Sequence, residues 1–305
     1  MNLASANLHP MHQSTESGPS VGSRVDVVET SPCAIVARGY SSRPMLLGLD
    51  RPLDLKGGDR LEPTGLPMQL RLNWLPEVTS LVAAACRDQS LQGAQWFKMR
   101  PIALSGRRGL GRTHICRTVA RAAGVPFLKL DVSSASDATW SSYGMGGPDV
   151  PMPSRVVLAM ASSGCANPLV LVTGVDDAAA ETVENIASMI ASQSSARWVD
   201  EALEAVIDLS NISWIVQTED GDNLPPSFPA DLEVVEMAKP DRYGAALLGL
   251  SLFNEVIADL QLSRGGLEPV LGFIVDYVRS HSFPSVMELH RIVLDAVVEY
   301  DRARR

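Results

Sequence analysis

The sequence predicts an α/β fold in which a parallel sheet carries helices on both faces and is followed by a small all-helical lid. Two observations lead to this prediction. Short apolar strand patterns alternate with amphipathic helical patterns of roughly 10–15 residues, as in parallel sheets with crossover helices. Beyond Pro240 the strand patterns stop and three amphipathic helical segments follow. We therefore expect a mostly irregular N-terminal arm at 1–65, an α/β domain at 66–239 and a helical lid at 240–305.

The predicted elements follow in order along the chain. Residues 1–65 are rich in Ser, Pro and Gly and lack periodicity, so we expect loop or disorder there, with room for one short hairpin at 25–40. The first clear helix face is formed by Leu75, Val78, Leu81, Val82 and Ala85. Strands are predicted at 101–106, 125–134, 168–175, 210–219 and 232–238, with helices at 113–124, 153–164 and 180–193. The lid helices are predicted at 243–262, 267–281 and 285–305.

Composition narrows the class of protein. The 305 residues are 46% apolar and 20% charged, which is ordinary for a globular domain. A net charge of −9 argues against a nucleic-acid groove, which needs clustered Lys and Arg. No apolar run approaches the roughly 20 residues that cross a bilayer, and the N-terminus lacks the pattern of a secretory signal. We expect a cytoplasmic protein that binds neither nucleic acid nor membrane.

The cysteines and histidines do not form metal-site patterns. Cys33, Cys86, Cys116 and Cys165 are scattered and never form a CxxC pair, which argues against a zinc ribbon and against a disulfide framework. The five histidines contain no HExxH pattern. We therefore expect neither zinc nor haem.

A glycine-rich octet lies between a predicted strand and a predicted helix. It consists of Gly106, Arg107, Arg108, Gly109, Leu110, Gly111, Arg112 and Thr113. The octet matches the phosphate-loop pattern GxxxxGK[ST] except that Arg112 replaces Lys. Main-chain N–H groups and a helix N-terminus attract phosphate oxygens in such loops, and both survive this change. A guanidinium is longer and forked, so it does not reproduce the Lys geometry. A strand-to-helix turn without a ligand is the alternative.

Four segments in order resemble AAA+ ATPases. Residues 105–134 resemble the Walker A unit, and 166–177 resemble the Walker B segment of the Lon ATPase module, which a similar Asn-Pro precedes. Residues 208–228 resemble its sensor 1 strand, and 285–291 the start of its last lid helix. The resemblance covers 70–300 and looks closest to bacterial Lon-like or MoxR-like AAA ATPases without a protease domain. It implies a P-loop NTPase fold that binds ATP or ADP, with Mg²⁺ on Thr113.

The resemblance also implies that the hydrolytic positions have changed. The family has Asp-Glu after the Walker B strand, whereas this chain has Thr173 and Gly174 there. A hydroxyl is a weak substitute for a carboxylate on Mg²⁺, and a glycine cannot polarise the attacking water. Asp176 matches a family acid outside the catalytic pair and is a weak metal-ligand candidate. Asp177 follows it, and neither replaces the lost glutamate without a shift of the strand.

Three further family positions carry unexpected residues. Glu219 stands where sensor 1 is normally Asn, and a carboxylate there repels a triphosphate unless it serves as a displaced base or metal ligand. Asp231 aligns with the arginine finger, which is a charge reversal. Met287 aligns with the sensor 2 arginine, for which Arg291 could substitute. Tyr143 is the candidate for the aromatic of pore loop 1, although an ordinary surface loop fits that segment equally well.

These positions leave three interpretations of function. The first is a pseudo-ATPase that binds ATP or ADP, hydrolyses it weakly or not at all, and acts through protein partners. The second is an active remodelling ATPase with an atypical site. The third is a nucleotide-free scaffold, such as an inactive subunit of an AAA+ ring. No peptidase segment follows the lid before Arg305, so proteolysis is not expected from this polypeptide.

Overall fold

The structure is a computed structural model. It describes residues 32–39, 42–61, 65–70, 75–133, 152–222, 224–230, 232–281 and 285–304. Two residues singled out by the sequence, Tyr143 and Asp231, lie outside the described residues.

The secondary structure contains short N-terminal elements, an α/β body and three C-terminal helices. The strands are β1 (Cys33–Ala34), β2 (Ala37–Arg38), β3 (Leu53–Asp54), β4 (Ile102–Ser105), β5 (Phe127–Asp131), β6 (Leu169–Thr173), β7 (Trp198–Asp200), β8 (Ala205–Ile207), β9 (Ser213–Thr218) and β10 (Glu233–Glu236). The helices are α1 (Arg43–Leu46), α2 (Gly65–Leu70), α3 (Pro76–Leu91), α4 (Arg112–Ala123), α5 (Arg155–Ser163), α6 (Ala180–Ile190), α7 (Arg242–Asp259), α8 (Glu268–Ser280) and α9 (Val286–Arg304).

A five-stranded parallel sheet forms the centre of the body, in the order β10-β4-β9-β6-β5. Every residue of β4 and β6 is buried, because helices cover both faces of the sheet. One apolar core holds side chains of α5 and α6, and a second holds side chains of α3 and α4. The predicted α/β fold is confirmed. The carboxyl ends of parallel strands share one edge, where Ser105 pairs with Thr218 and Asp131 with Thr173.

Two parts of the body differ from the sequence-based expectation. The strands β7 and β8 form an antiparallel pair that was not predicted, and β2 joins it as a third strand. The described part of the expected 25–40 hairpin also pairs elsewhere, since β1 pairs with β3. Val36, Leu49 and Leu53 are buried in the first core. Val36 and Leu49 lie in loop or turn, but the expectation of disorder is wrong for these residues, because a few well-spaced apolar side chains suffice to attach them to the body.

Asn167 fixes the start of β6 to two distant segments. It is fully buried, and its Oδ1 accepts from the main-chain N–H of Lys56 at 2.8 Å. Its Nδ2 donates to the carbonyl oxygens of Lys56 and Phe97 at 2.9 and 2.8 Å. Both ends of the amide are thus satisfied, as burial of a polar side chain requires. The asparagine of the Asn-Pro pair before the Walker B-like strand thus has a structural role, which is to join β6 to the segments at Lys56 and Phe97.

The lid consists of α7, α8 and α9, as predicted. Their inward faces form a third apolar core that includes Leu248, Phe253, Ile274, Leu289 and Val293. Asp241 caps α7, because its Oδ1 accepts from Gly244 N at 2.7 Å. No helix in the described part of the chain has the length and hydrophobicity of a bilayer span.

Candidate functional site

The glycine-rich loop lies between β4 and α4, at the carboxyl edge of the sheet. Gly106, Gly109 and Gly111 have φ of 140°, 90° and 91°, values that residues with a Cβ rarely adopt. Gly106 N donates to Thr218 O at 3.2 Å. From Arg107 to Thr113 the main-chain N–H groups donate to no described acceptor. These donors, together with the start of α4, form an arrangement that suits a phosphate group.

Arg112 points into the base of this loop. Its side chain is only 3% exposed, and Nη1 donates to Gly106 O at 2.5 Å and also to Thr218 O. Burial lowers the pKa of Arg112, although the carboxylates of Glu219 and Asp176 oppose that shift. The guanidinium therefore fastens the loop to the end of β9. It does not occupy the place of a lysine that reaches forward to phosphates.

Arg108 extends from the loop to two acidic side chains. Its Nε donates to Glu219 Oε1, and its Nη2 lies 3.2 Å from Asp177 Oδ2. The hydrogen bond and charge of Glu219, with the charge of Asp177, raise the pKa of the exposed Arg108. The carboxylate at the sensor 1 position is thus paired with the loop itself. This pairing was not anticipated, because the sequence does not show which loop arginine reaches across.

Asp176 connects the segment after β6 to the end of β9. Its Oδ1 accepts from Thr218 Oγ1 at 2.6 Å, and its Oδ2 accepts from Glu219 N at 3.0 Å. Thr173 is 5% exposed, with its Oγ1 3.5 Å from Leu130 O. Within the described ranges, no three His, Cys, Asp or Glu side chains converge to hold a metal ion. Both oxygens of the weak metal candidate Asp176 already have protein partners.

Gly174 has no room for a side chain. Its φ is 82°, and an added Cβ would lie 2.6 Å from Ser133 Cβ and 2.9 Å from Asp131 Oδ1. Ser133 is held there because its main-chain N–H and its hydroxyl both donate to Asp131 Oδ1, at 3.1 and 2.7 Å. These two hydrogen bonds lower the pKa of Asp131. The position that carries glutamate in AAA+ ATPases is therefore closed to a side chain by Ser133 and Asp131, although Gly174 itself lines a cavity of about 180 Å³ with Thr173, Asp176 and Glu219.

A cleft of about 680 Å³ opens beside the loop. Its lining includes 106–110 and the charged residues Arg107, Arg108, Lys239, Glu219, Asp220, Asp222 and Glu236. Four carboxylates thus face three cations. Gly111, Arg112 and Thr113 do not line it, so the retained Walker A hydroxyl lies outside this space.

The lid contacts the loop directly. Val286 N donates to Gly109 O at 2.8 Å, and a Cβ on Gly111 would lie 2.8 Å from Val286 Cγ2. Ser285 lines the cleft and caps α9, since its Oγ accepts from Glu288 N at 3.1 Å. Met287, which the resemblance aligns with the sensor 2 arginine, is 81% exposed. Neither it nor the exposed Arg291 lines the cleft.

Comparison with known proteins gives one consistent group of relatives. No family model matches the chain. Lon protease homolog 1, mitochondrial, of Arabidopsis thaliana is 28% identical over 141 residues, covering 45% of this chain and 15% of the relative. Lon protease homolog, mitochondrial, of Ostreococcus lucimarinus is 22% identical over 224 residues, covering 62% of this chain and 24% of the relative. Lon protease of Mycoplasmopsis agalactiae is 22% identical over 179 residues, covering 57% and 18%.

The chain is similar to Lon proteases. It spans no more than about a quarter of the length of these relatives. The parallel sheet, the helical lid and this similarity together support a Lon-like AAA+ fold.

A second contact between body and lid in this Lon-like fold is partly ionic. His114, on α4 next to the loop, places Nδ1 2.6 Å from Glu255 Oε2 on α7, and both side chains are close to 10% exposed. Arg121 adds contacts to Glu255 at 3.7 Å and to Asp259 at 3.1 Å. Burial opposes ionisation of Glu255, but the contact with His114 and the charges of His114, Arg121 and His290 lower its pKa. Contacts of Glu255 and Asp259 on α7 with His114 and Arg121 on α4 thus hold the lid to the helix that follows the phosphate loop.

Proposed function

We propose that this chain is a Lon-like AAA+ module that binds ATP or ADP through its phosphate loop without hydrolysing it, and that it acts through protein partners. One observation carries the proposal. The main-chain donors from Arg107 to Thr113 have no described acceptor, whereas Arg112, Glu219 and Asp176 are engaged with other protein groups. The features that bind phosphate are present without those that would turn it over.

The described residues fit the phosphate part of a nucleotide. Three glycines with positive φ allow the loop to present its N–H groups, and the adjacent cleft of about 680 Å³ suits a nucleotide-sized ligand. When bound, a nucleotide would supply an anionic phosphate chain to these donors. The adenine base is proposed from the resemblance to AAA+ ATPases and the similarity to Lon proteases alone.

The residues do not fit metal-assisted hydrolysis. Phosphoryl transfer needs a metal ion, a positioned water and positive charge at the reacting phosphate. The Asp176 carboxylate is bonded to Thr218 and Glu219, and Ser133 leaves no room for a side chain on Gly174. Arg112 donates to carbonyl oxygens, so its charge is directed away from the cleft. We derive no hydrolytic step for this chain.

Two measurements test the proposal. Calorimetric titration with ATP and with ADP is expected to give saturable binding, and a steady-state phosphate-release assay is expected to remain at background. Absence of binding by both nucleotides would contradict the proposed nucleotide binding. Phosphate release that disappears in a Thr113→Ala variant would contradict the proposed lack of hydrolysis and favour the active remodelling ATPase.

A nucleotide-free scaffold is the second candidate. It is favoured by the contacts of the lid with the loop and α4, because Val286–Gly109 and His114–Glu255 hold the two parts together without a ligand. Such a chain could serve as an inactive subunit in a ring with an active one. Sedimentation of the purified protein is expected to give no stable hexamer in this case, and a stable hexamer of this chain alone would contradict it.

The proposal of protein partners is supported by the relatives. The similar proteins are named as proteases, which act on proteins, and the share of this chain in their length makes any whole-protein activity a proposal. A cytoplasmic location is part of the same proposal.

A further inference from the structure

We infer that the phosphate loop selects a metal-free nucleoside diphosphate over a magnesium-bound nucleoside triphosphate. This inference rests on the proposed function and specifies the ligand class of the same site. It follows from which phosphates each part of a phosphate loop serves. Main-chain N–H groups cradle the inner phosphates, whereas the lysine, the metal ion and the sensor residue serve the outermost one.

The part of the site that serves the inner phosphates is present. The N–H groups from Arg107 to Thr113 donate to no described acceptor, and Arg112 ties the two ends of the loop to Thr218. The loop shape is therefore fixed by protein contacts before any ligand arrives. A preorganised cradle binds its ligand without the cost of ordering the chain.

The part that would serve a third phosphate is a cavity of about 180 Å³ whose lining includes the carboxylates of Asp176, Asp177 and Glu219, with Arg108 and Lys129 as its cations. Arg108 crosses from the loop to Glu219 at the end of β9 and to Asp177 after β6. Asp176 lies between these segments and bonds to both Thr218 and Glu219 N. A third phosphate would bring negative charge next to three carboxylates, of which two already share the charge of Arg108. Like charges at contact distance oppose one another.

A metal ion would not offset that repulsion. Asp176 has both oxygens engaged, Thr173 is buried, and Thr113 does not line the cleft. Magnesium is normally bound through one or two carboxylates together with substrate phosphates. With those carboxylates committed to protein donors, a diphosphate needs only the main-chain donors, and its binding does not require the cation.

Calorimetric titration of the full chain tests the inference. ADP and ATP are each titrated in excess Mg²⁺ and in EDTA. The dissociation constant of ADP is expected to be about tenfold or more below that of ATP, a difference of about 1.4 kcal/mol, and to change less than about twofold when EDTA replaces Mg²⁺. ATP binding as tightly as ADP in Mg²⁺, or loss of ADP binding in EDTA, would overturn the inference.

A pair of variants locates the cause. Glu219→Asn removes the carboxylate that Arg108 contacts, and we expect it to bring the ATP and ADP dissociation constants within about threefold of each other. Glu181→Gln removes the same charge at an exposed residue of α6 outside the cleft lining, and should leave the ratio within about twofold of the parent. Equal effects of both substitutions would contradict selection by the Arg108–Glu219 pair.

The failure of this inference is distinguishable from failure of the proposed function. Pyrophosphate serves as a third ligand because it contains the two phosphates without a base. Binding of neither pyrophosphate nor either nucleotide would contradict both the site and its selectivity. Equal binding of ADP and ATP would contradict only the selectivity.

Discussion

The Arg112 guanidinium donates to the carbonyl oxygen of Thr218, and so joins the first residue of α4 to the last residue of β9. The same oxygen also accepts from Gly106 N at 3.2 Å. One carbonyl therefore receives both ends of the phosphate loop. The loop is fastened to the neighbouring strand by protein groups alone, which explains how it keeps its shape after loss of the usual lysine.

Replacing Arg112 should destabilise the whole body. Arg112→Met removes two charge-assisted hydrogen bonds, to the half-buried Gly106 O and the buried Thr218 O, so we expect a loss of about 2–3 kcal/mol in the free energy of unfolding. Urea denaturation measures it. Arg107→Met is the matched control, since Arg107 is exposed and has no hydrogen bond or ion pair to a described residue; its effect should stay within about 0.5 kcal/mol. Equal losses in both variants would contradict the anchoring role.

Restoring the family glutamate should not restore hydrolysis. In Gly174→Glu the side chain meets Ser133 on a backbone with φ of 82°. We expect a loss of about 3 kcal/mol in the free energy of unfolding, from the backbone conformation and the overlap together, with phosphate release still at background. Gly164→Glu is the control, because its φ is 60° and an added Cβ has no neighbour within 4 Å. It should cost only about 1 kcal/mol. A gain of phosphate release in the Gly174 variant would count against a closed site.

Much of the fold could be predicted from the sequence. Periodicity located the five strands of the parallel sheet and the lid helices, because each buries an apolar face with a regular spacing. It did not reveal β7 and β8, which have only three residues each, too few for a period to appear. The segment from Val36 to Leu55 was missed because its buried side chains follow no helix or strand period, and the exposed Met45 and Leu46 lie between Val36 and Leu49.

The site was predictable in its positions and not in its contacts. The motif identified Arg112, Thr173, Gly174 and Glu219, and all of them lie at or beside the carboxyl edge of the sheet. No spacing rule could show that Arg112 turns inward while Arg108 reaches Glu219, because both are flexible side chains whose direction depends on tertiary partners. The lack of room for a side chain on Gly174 likewise depends on Ser133, about 40 residues away along the chain.

Loss of the Asn167 amide should destabilise the protein at the start of β6. Asn167→Ala leaves the N–H of Lys56 and the carbonyl oxygen of Phe97 without their side-chain partner, whereas the carbonyl oxygen of Lys56 keeps its bond from Phe97 N. We expect about 2–4 kcal/mol of destabilisation in urea denaturation, because buried polar groups lose their hydrogen bonds. Asn211→Ala, in the turn before β9, is the control and should cost less than about 1 kcal/mol. A near-neutral Asn167→Ala would show that water replaces the amide there.

Acid should weaken the attachment of the lid. The folded-state pKa of Glu255 lies below its ordinary value of 4.5, so its contribution to stability is present above that pH and is lost as the pH falls through the folded pKa. Glu255→Gln should lower the free energy of unfolding by about 1–3 kcal/mol at neutral pH and flatten the decline below about pH 4.5. The groups facing Glu255 are His114, Arg121 and His290, with Asp259 bonded to Arg121.

Urea titrations of the parent and of Glu255→Gln from neutral pH down to about pH 3 measure this effect. Glu299→Gln, at an exposed position of α9, is the control and should run parallel to the parent. Identical acid slopes for the parent and Glu255→Gln would contradict the assignment.

The hydrogen bond from Val286 N to Gly109 O has a mechanical consequence. Val286, the first residue of α9, is bonded to the backbone of the loop. Any movement of the lid relative to the body must therefore displace Gly109 or break that hydrogen bond. The position of the lid and the conformation of the loop at Gly109 are therefore linked by a main-chain hydrogen bond that needs no ligand in the cleft.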